Sequence, residues 1–291
     1  MSVILIIADR AHDRQIAIAR GMVLGQKLGF AVQVVGFCYE SLAPMGISEP
    51  KMQAEARKKL LARRKTEVEA EVRKNNRTGM RVATTVIWQK DIHHWIIRQC
   101  SRKSYAAVIK TGSGTDSFLN TSTDWHLLRE CQAPVMIVAE KKWRSATPIV
   151  AAIDVSSKLR VKQRLNREVI ATAKQYSDAL GCPLYLVHAL HIPAILSELD
   201  LVDEQEQSNK MKKELEPRLI RLSKDHGIPL KQFRLKQGPV DKVITSEAAR
   251  LKAQLLVMGT VGRKGVRAKL MGNTAESVLQ KLRTDVLALK P

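Results

Sequence analysis

Ile149-Val-Ala-Ala-Ile-Asp154 ("IVAAID") has a twin about 145 residues earlier, Val3-Ile-Leu-Ile-Ile-Ala-Asp9 ("VILIIAD"), and that repetition decides the fold. Each is a short apolar run without polar alternation, the pattern of a strand covered on both faces in a parallel sheet. Working outward, each is followed by a helical stretch that closes on Leu-Gly, at Leu28-Gly29 and Leu180-Gly181. A second apolar run follows, Ala31–Gly36 in one half and Pro183–His188 in the other. Long charged helices are predicted near 50–77 and 203–226, and third strands near 80–88 and 230–236. A short helix then begins near Asp91 or Pro239, and a fourth strand follows, Ala106–Ile109 or Leu255–Met258. Each half closes on a helix and a fifth strand, Pro134–Val138 or Asp285–Leu289.

Corresponding positions lie about 145 to 152 residues apart. Strands alternating with helices indicate right-handed βαβ units. The expected architecture is therefore α/β, with two tandem five-stranded parallel-sheet domains at residues 1–142 and 147–291. The polar segment Lys141–Thr147, followed by Pro148, interrupts the periodicity and is the expected junction.

Composition narrows the function classes. The 291 residues suffice for two ordinary domains, and no apolar run reaches bilayer length. The opening Met1–Ala8 lacks a leading cationic cluster and a cleavage pattern, so it reads as a first strand. Cys38, Cys100, Cys131 and Cys182 show no Cys-x-x-Cys spacing, which fits a reducing compartment, with the cytoplasm expected. Lys and Arg number 49 against 28 Asp and Glu, a formal charge of +21 that attracts polyanions. The densest basic segment, Lys51–Arg81, also has an ordinary reading as a solvated helix face. Association with nucleic acid or another anionic surface is the alternative function, though the sequence shows no interleaved aromatics for base stacking.

The candidate site lies past the fourth strand of the second half. Gly259 and Gly262 stand where a doubly wound sheet places its ligand crevice, and glycine there permits positive φ and close approach of an oxyanion. Nine residues on comes Gly272, then Asn273-Thr-Ala-Glu276, in which Asn273 as N-cap and Glu276 at N3 have capping-box spacing. The free amides of that helix start would face the same crevice, with Arg263, Lys264, Arg267 and Lys269 adding charge. From the residues alone, a phosphate cradle and a plain strand-to-helix connection both remain open.

Gly-x-x-Gly followed by Gly and a small polar residue resembles the ATP-binding loop of the universal stress protein family. The likeness spans the chain and is greatest to the family's tandem, two-domain members, through the Thr123–Arg129 block and the Gly259–Gly262 and Gly272–Thr274 blocks. It implies an adenine-nucleotide-α-hydrolase-like sheet of strand order 3-2-1-4-5 that pairs with a second such domain, a homodimer being open. It also implies a stress-response protein binding ATP or another adenine nucleotide, with magnesium left open as companion ion. Carried over residue by residue, Asp154 lies near the adenosine and Ala189 meets the base through its backbone. The phosphates fall to Gly259, Gly262, Arg263, Gly272, Asn273 and Thr274. The family's usual Gly-Ser or Gly-Thr is Gly272-Asn273 here, with Thr274 one residue displaced.

The first half should not bind nucleotide. Aligning its loop places Lys110 at the first motif glycine and Thr121 at the third, so a lysine side chain would occupy the phosphate position. No Gly-x-Ser-x-Gly elbow, paired-carboxylate constellation or metal-ligand spacing is evident. Binding with at most slow hydrolysis is therefore expected, with no catalytic residue and no metal ligand assigned. His93-His94, as helix neighbours, should diverge by about a hundred degrees and make a poor metal pair; His188 reads as a core or interface histidine.

Overall fold

The computed structural model describes the chain except for residues 1, 11–12, 113–121, 141–142, 145, 193–202 and 261–271, and the side chain of residue 122. Its contacts divide it into two compact units, with the division between Glu140 and Lys141.

The first unit holds β1 (Val3–Ile7), α1 (Ile16–Leu28), β2 (Ala31–Cys38), α2 (Pro50–Asn75) and β3 (Val82–Trp88). It continues with α3 (Ile92–Arg102), β4 (Ala107–Thr111), α4 (Ser122–Glu130) and β5 (Val135–Val138). Its strands are all parallel, in the order β3-β2-β1-β4-β5. The second unit repeats the plan with β6 (Ile149–Ala152), α5 (Arg160–Leu180), β7 (Leu184–Leu190), α6 (Glu204–His226) and β8 (Phe233–Gln237). It ends with α7 (Val240–Arg250), β9 (Leu255–Gly259), α8 (Asn273–Lys281) and β10 (Asp285–Leu289), ordered β8-β7-β6-β9-β10 and again parallel.

The strand order 3-2-1-4-5 in each unit is the one the resemblance implies, and burial explains the composition of the strands. Ile4, Leu5 and Ile6 in β1 and Ile149, Val150 and Ala151 in β6 are fully buried, as central strands covered on both faces require. The Leu-Gly signals are also accounted for: Gly29 and Gly181 adopt φ of 66° and 62° and close α1 and α5 with their amides turned back on the last turn. Only glycine takes that left-handed conformation without a Cβ penalty.

The charged helix α2 is mostly a solvated face. Lys59–Glu55, Arg63–Glu67 and Lys65–Glu69 are i,i+4 pairs at 2.8, 3.2 and 3.9 Å between largely exposed side chains, where water and salt screen the attraction and leave little net stabilisation. The exception is Arg64, which is 5% exposed and continues an inward stripe with Val68 and Val72. Among the described residues, no helix is long and apolar enough to cross a membrane.

Candidate functional site

Strand register assembles the site of the second unit. Ala152 of β6 lies opposite Met258 of β9 and Val187 of β7. Just beyond, the Ile153 amide donates to the Val187 carbonyl at 3.0 Å, and the Thr260 amide donates to the Leu289 carbonyl at 3.0 Å. Asp154, Ala189 and Gly259 thus stand at the carboxyl ends of three adjacent parallel strands, where ligands of open α/β sheets bind. The Gly272 amide donates to the Thr260 carbonyl at 3.3 Å, which brings the start of α8 to the end of β9. Gly262 and Arg263, with Lys264, Arg267 and Lys269, lie outside the described residues.

Two details correct the sequence reading. The N-cap of α8 is Gly272, not Asn273: its backbone is extended (φ −71°, ψ 141°), and its carbonyl accepts from the Glu276 amide at 3.0 Å. Asn273 is the first helical residue, so the capping box does not form and no side chain caps this end. Asn273 and Thr274 are exposed there, at the positive end of the helix dipole. Gly259, for its part, does not have positive φ. A Cβ on it would collide with Leu165 Cδ2 and stand 2.8 Å from its Cγ, so this glycine lets α5 lie close on the sheet.

Asp154 is held by the chain itself. Its Oδ1 accepts from Ser156 Oγ at 2.9 Å and the Ser157 amide at 3.2 Å, while Oδ2 pairs with Lys162 Nζ at 3.1 Å. Asn166 clamps its backbone, with Oδ1 accepting from the Asp154 amide at 3.0 Å and Nδ2 donating to its carbonyl at 2.5 Å. Burial raises the carboxyl's pKa, but the Ser156 and Lys162 hydrogen bonds and the Lys162 charge outweigh it and hold the group below its ordinary value. Ala189 is buried beside it. His188, 4% exposed, donates from Nδ1 to the Ile153 carbonyl at 3.1 Å, and burial lowers its pKa, so its Nε2 is a buried acceptor.

The same register shows what the first unit does at equivalent positions. The Ala8 amide donates to the Val35 carbonyl and the Gly112 amide to the Val138 carbonyl, both at 2.9 Å, matching the two bonds that end β6 and β9. Counting from them, Thr111 stands where Gly259 does, and Lys110 matches Met258. The sequence alignment was one residue out. Thr111 Oγ1 donates to Asp9 Oδ2 at 2.8 Å and accepts from the Ala17 amide at 3.0 Å, tying strand end to helix start. Lys110 Nζ turns to Asp124 Oδ1 at 2.8 Å, with the aspartate side chain fully buried and the lysine 12% exposed. Burial raises the pKa of Asp9 despite its hydrogen bonds, the opposite of Asp154.

Further along, Gly36 matches His188 and Phe37 matches Ala189. A Cβ on Gly36 would meet Val68 Cγ2 at 2.9 Å and Val86 Cγ2 at 3.3 Å, with Arg64 Nε at 3.7 Å. The Arg64 guanidinium donates to the Asp9 carbonyl and, through Nη1, pairs with Glu67 at 3.3 Å. Phe37 carries Trp95 edge-on at 5.3 Å. Arginine and aromatic rings thus fill in the first unit what is small or polar in the second.

A model of the universal stress protein family matches residues 148–290. Universal stress protein E of Salmonella typhi is 26% identical over 99% of this chain and 93% of its own length. Its homolog in Haemophilus influenzae is 25% identical, over 99% and 97%. Residues 148–290 thus match the universal stress protein family, and the whole chain is similar to its two-domain members. A putative universal stress protein of Pseudomonas aeruginosa shares the fold, with a TM-score of 0.73 at 23% identity over 99% of this chain and 93% of that one. A universal stress protein of Archaeoglobus fulgidus shares it with a TM-score of 0.61 at 18% identity, covering 99% and 96%.

The chain is a stress-response protein by that likeness, and its two halves have diverged at the same sheet edge. Sequence reasoning missed Arg64, although residues 64, 68 and 72 recur at the four-residue step of an inward helix stripe. It also separated histidines that the fold unites. The rings of His93 and His94 on α3 are 4.2 Å apart, and His126 of α4 stacks on His93 at 4.4 Å with 12° between planes. Adjacent helix positions diverge at Cβ, but flexible χ angles bring the two rings together, with His93 turned to α4. His126 Nδ1 lies 2.9 Å from Glu130 Oε1. Among the described residues, no group of three or more His, Cys, Asp or Glu could hold a metal ion.

Burial, then the neighbouring His94 and His126, lowers the pKa of His93 against the opposing pull of Asp91 and Glu130. A base with a depressed folded pKa gives full stability above its unfolded value, near 6.5, and loses it as pH falls through the folded value. The native chain should therefore show a steeper fall in melting temperature between pH 8 and pH 5 than His93→Gln. Equal slopes would show that the cluster is not linked to folding.

Proposed function

We propose that the second unit binds an adenine nucleotide, ATP or a close relative, in the crevice bounded by Asp154, Ala189, Gly259 and the start of α8, with Gly262 assigned to the phosphates by the sequence resemblance. The carrying observation is the register that sets Asp154, Ala189 and Gly259 on adjacent strand ends, with the uncapped helix start tied to Thr260. The α8 amides and the exposed Asn273 and Thr274 suit phosphate oxygens, and Arg263 adds a cation to that reading. Small Ala189 leaves room for a base where the first unit has Phe37.

The function so read is regulatory binding in the cytoplasm, with at most slow hydrolysis. Asp154, the carboxylate at the crevice, is already engaged by Ser156, Ser157 and Lys162, so it is a poor general base and a poor magnesium ligand. Any magnesium would therefore arrive with the polyphosphate.

Isothermal titration of the intact chain with ATP, ADP and AMP tests this. One site per chain is expected, because Arg64 and Phe37 fill the first unit, and Gly262→Asp should abolish binding by setting a carboxylate in the phosphate position. Binding that survives Gly262→Asp overturns the placement, and absence of binding by the native chain overturns the function. Rapid ATP turnover would overturn the non-catalytic reading.

A further inference from the structure

The aromatic interleaving missing from the linear sequence is created by folding at the carboxyl edge of the first unit. Trp88 lies opposite Cys38 at the ends of β3 and β2, and Tyr39 follows directly, so the two rings stand 5.7 Å apart. Cations accompany both: the Arg57 guanidinium lies 5.5 Å from the Trp88 ring, and Lys90 Nζ lies 6.0 Å from the Tyr39 ring. Tyr39 is 43% exposed, Trp88 is half-buried, and Arg57 and Lys90 are exposed. Energetically significant cation–ring contacts occur roughly once per 70–80 residues, so two on neighbouring rings form a concentrated feature.

Comparison of the two units shows that the fold does not require it. The register equates Cys38 with Leu190, so Tyr39 and Trp88 match His191 and Gln237. The second unit keeps this edge small and polar, while the first fills the crevice with Arg64 and Phe37 and carries rings and cations on the outside. The edge that binds ligands in open α/β sheets has exchanged a pocket for a platform.

We propose that this platform, Tyr39 and Trp88 with Arg57 and Lys90, docks single-stranded nucleic acid. Unpaired bases stack on the rings, foremost on the exposed Tyr39, a contact indifferent to sequence because every base has a π-face, while the exposed Arg57 and Lys90 turn to the phosphates. The occupant follows from charge and shape together. A chain of net charge +21 selects polyanions, and exposed rings among the cations select those with unstacked aromatic bases. Duplex nucleic acid hides those faces and gains only the charge term.

Fluorescence anisotropy of the full chain with a labelled 15-nucleotide oligo-uridylate and a labelled 15-base-pair duplex, at two salt concentrations, tests the proposal. The single strand should bind more tightly than the duplex, with affinity falling steeply with salt. Tyr39→Ala, at a site exposed enough to leave the fold intact, should weaken single-strand binding roughly 5- to 150-fold, the loss expected for one stacked base. Arg57→Ala should reduce the salt slope by about 1. A circular-dichroism melt should show both variants folded. Equal affinity for duplex and single strand, or unchanged affinity in Tyr39→Ala, would show charge attraction without a platform and overturn the proposal. So would absence of single-strand binding by the native chain.

Discussion

Lys110→Met is expected to lower the stability of the first unit by about 3–5 kcal/mol, because it removes the cation from a buried ion pair and leaves the other charge in place. Asp124 is fully buried in the first turn of α4, and Lys110 Nζ reaches it at 2.8 Å while also donating to the Thr111 carbonyl at 2.8 Å. The positive end of α4 favours the aspartate, but a helix end contributes only about 0.3–1 kcal/mol at an ordinary site and does not replace the lysine. Lys110→Met combined with Asp124→Leu should recover most of the loss, since swapping a buried pair for apolar groups of similar volume is often neutral. Guanidinium unfolding of the intact chain, followed by far-ultraviolet circular dichroism, reads both variants. A loss below about 1 kcal/mol for Lys110→Met would mean the pair is solvated and contributes as surface pairs do.

This lysine shows where sequence reasoning reached and where it stopped. The element order and the strand-end position of Asp154 were legible, because apolar runs and Leu-Gly stops are local signals that a parallel α/β sheet imposes directly, whereas the strand order came only with the family resemblance. The loop alignment in the first half slipped by one residue, because strand ends are set by ladder hydrogen bonds and not by motif letters. Lys110 reads as a residue pointing into a phosphate site, but the fold points it at Asp124, fourteen positions on in the sequence. Gly259 reads as a phosphate glycine, and its immediate cause is the Leu165 side chain of α5. The same residue thus serves packing whether or not a ligand comes. Contacts between distant segments were not legible at all. Neither the stacking of His126 on His93 nor the pairing of Tyr39 with Trp88 leaves a trace in spacing, since helix and strand positions meet only once the sheet is assembled.

The divergence between the halves yields a stronger test in the form of a transplant. Arg64 lies eleven residues before the last residue of α2, and Leu215 lies eleven before the last of α6; both are buried on the face turned to the sheet. The strand partner differs in the complementary sense, Gly36 under Arg64 and His188 in the unit that has Leu215. Arg64→Leu alone should cost roughly 1.5–3 kcal/mol, the worth of the charge-assisted bond to the Asp9 carbonyl. Gly36→His alone should cost about 1–3 kcal/mol or more by overpacking, because even a Cβ meets Val68 and Val86 and the imidazole must displace the guanidinium. Together they rebuild the arrangement of the second unit, in which the imidazole Nδ1–H bonds the backbone carbonyl of the residue before the strand-end aspartate. The double variant should therefore lose less than the sum of the two single losses, by about 0.5–3 kcal/mol, the range for directly coupled residues. Simple additivity within about 0.5 kcal/mol would mean that Arg64 and Gly36 do not compete for one space, and the first unit's crevice would then need another account of why it is closed.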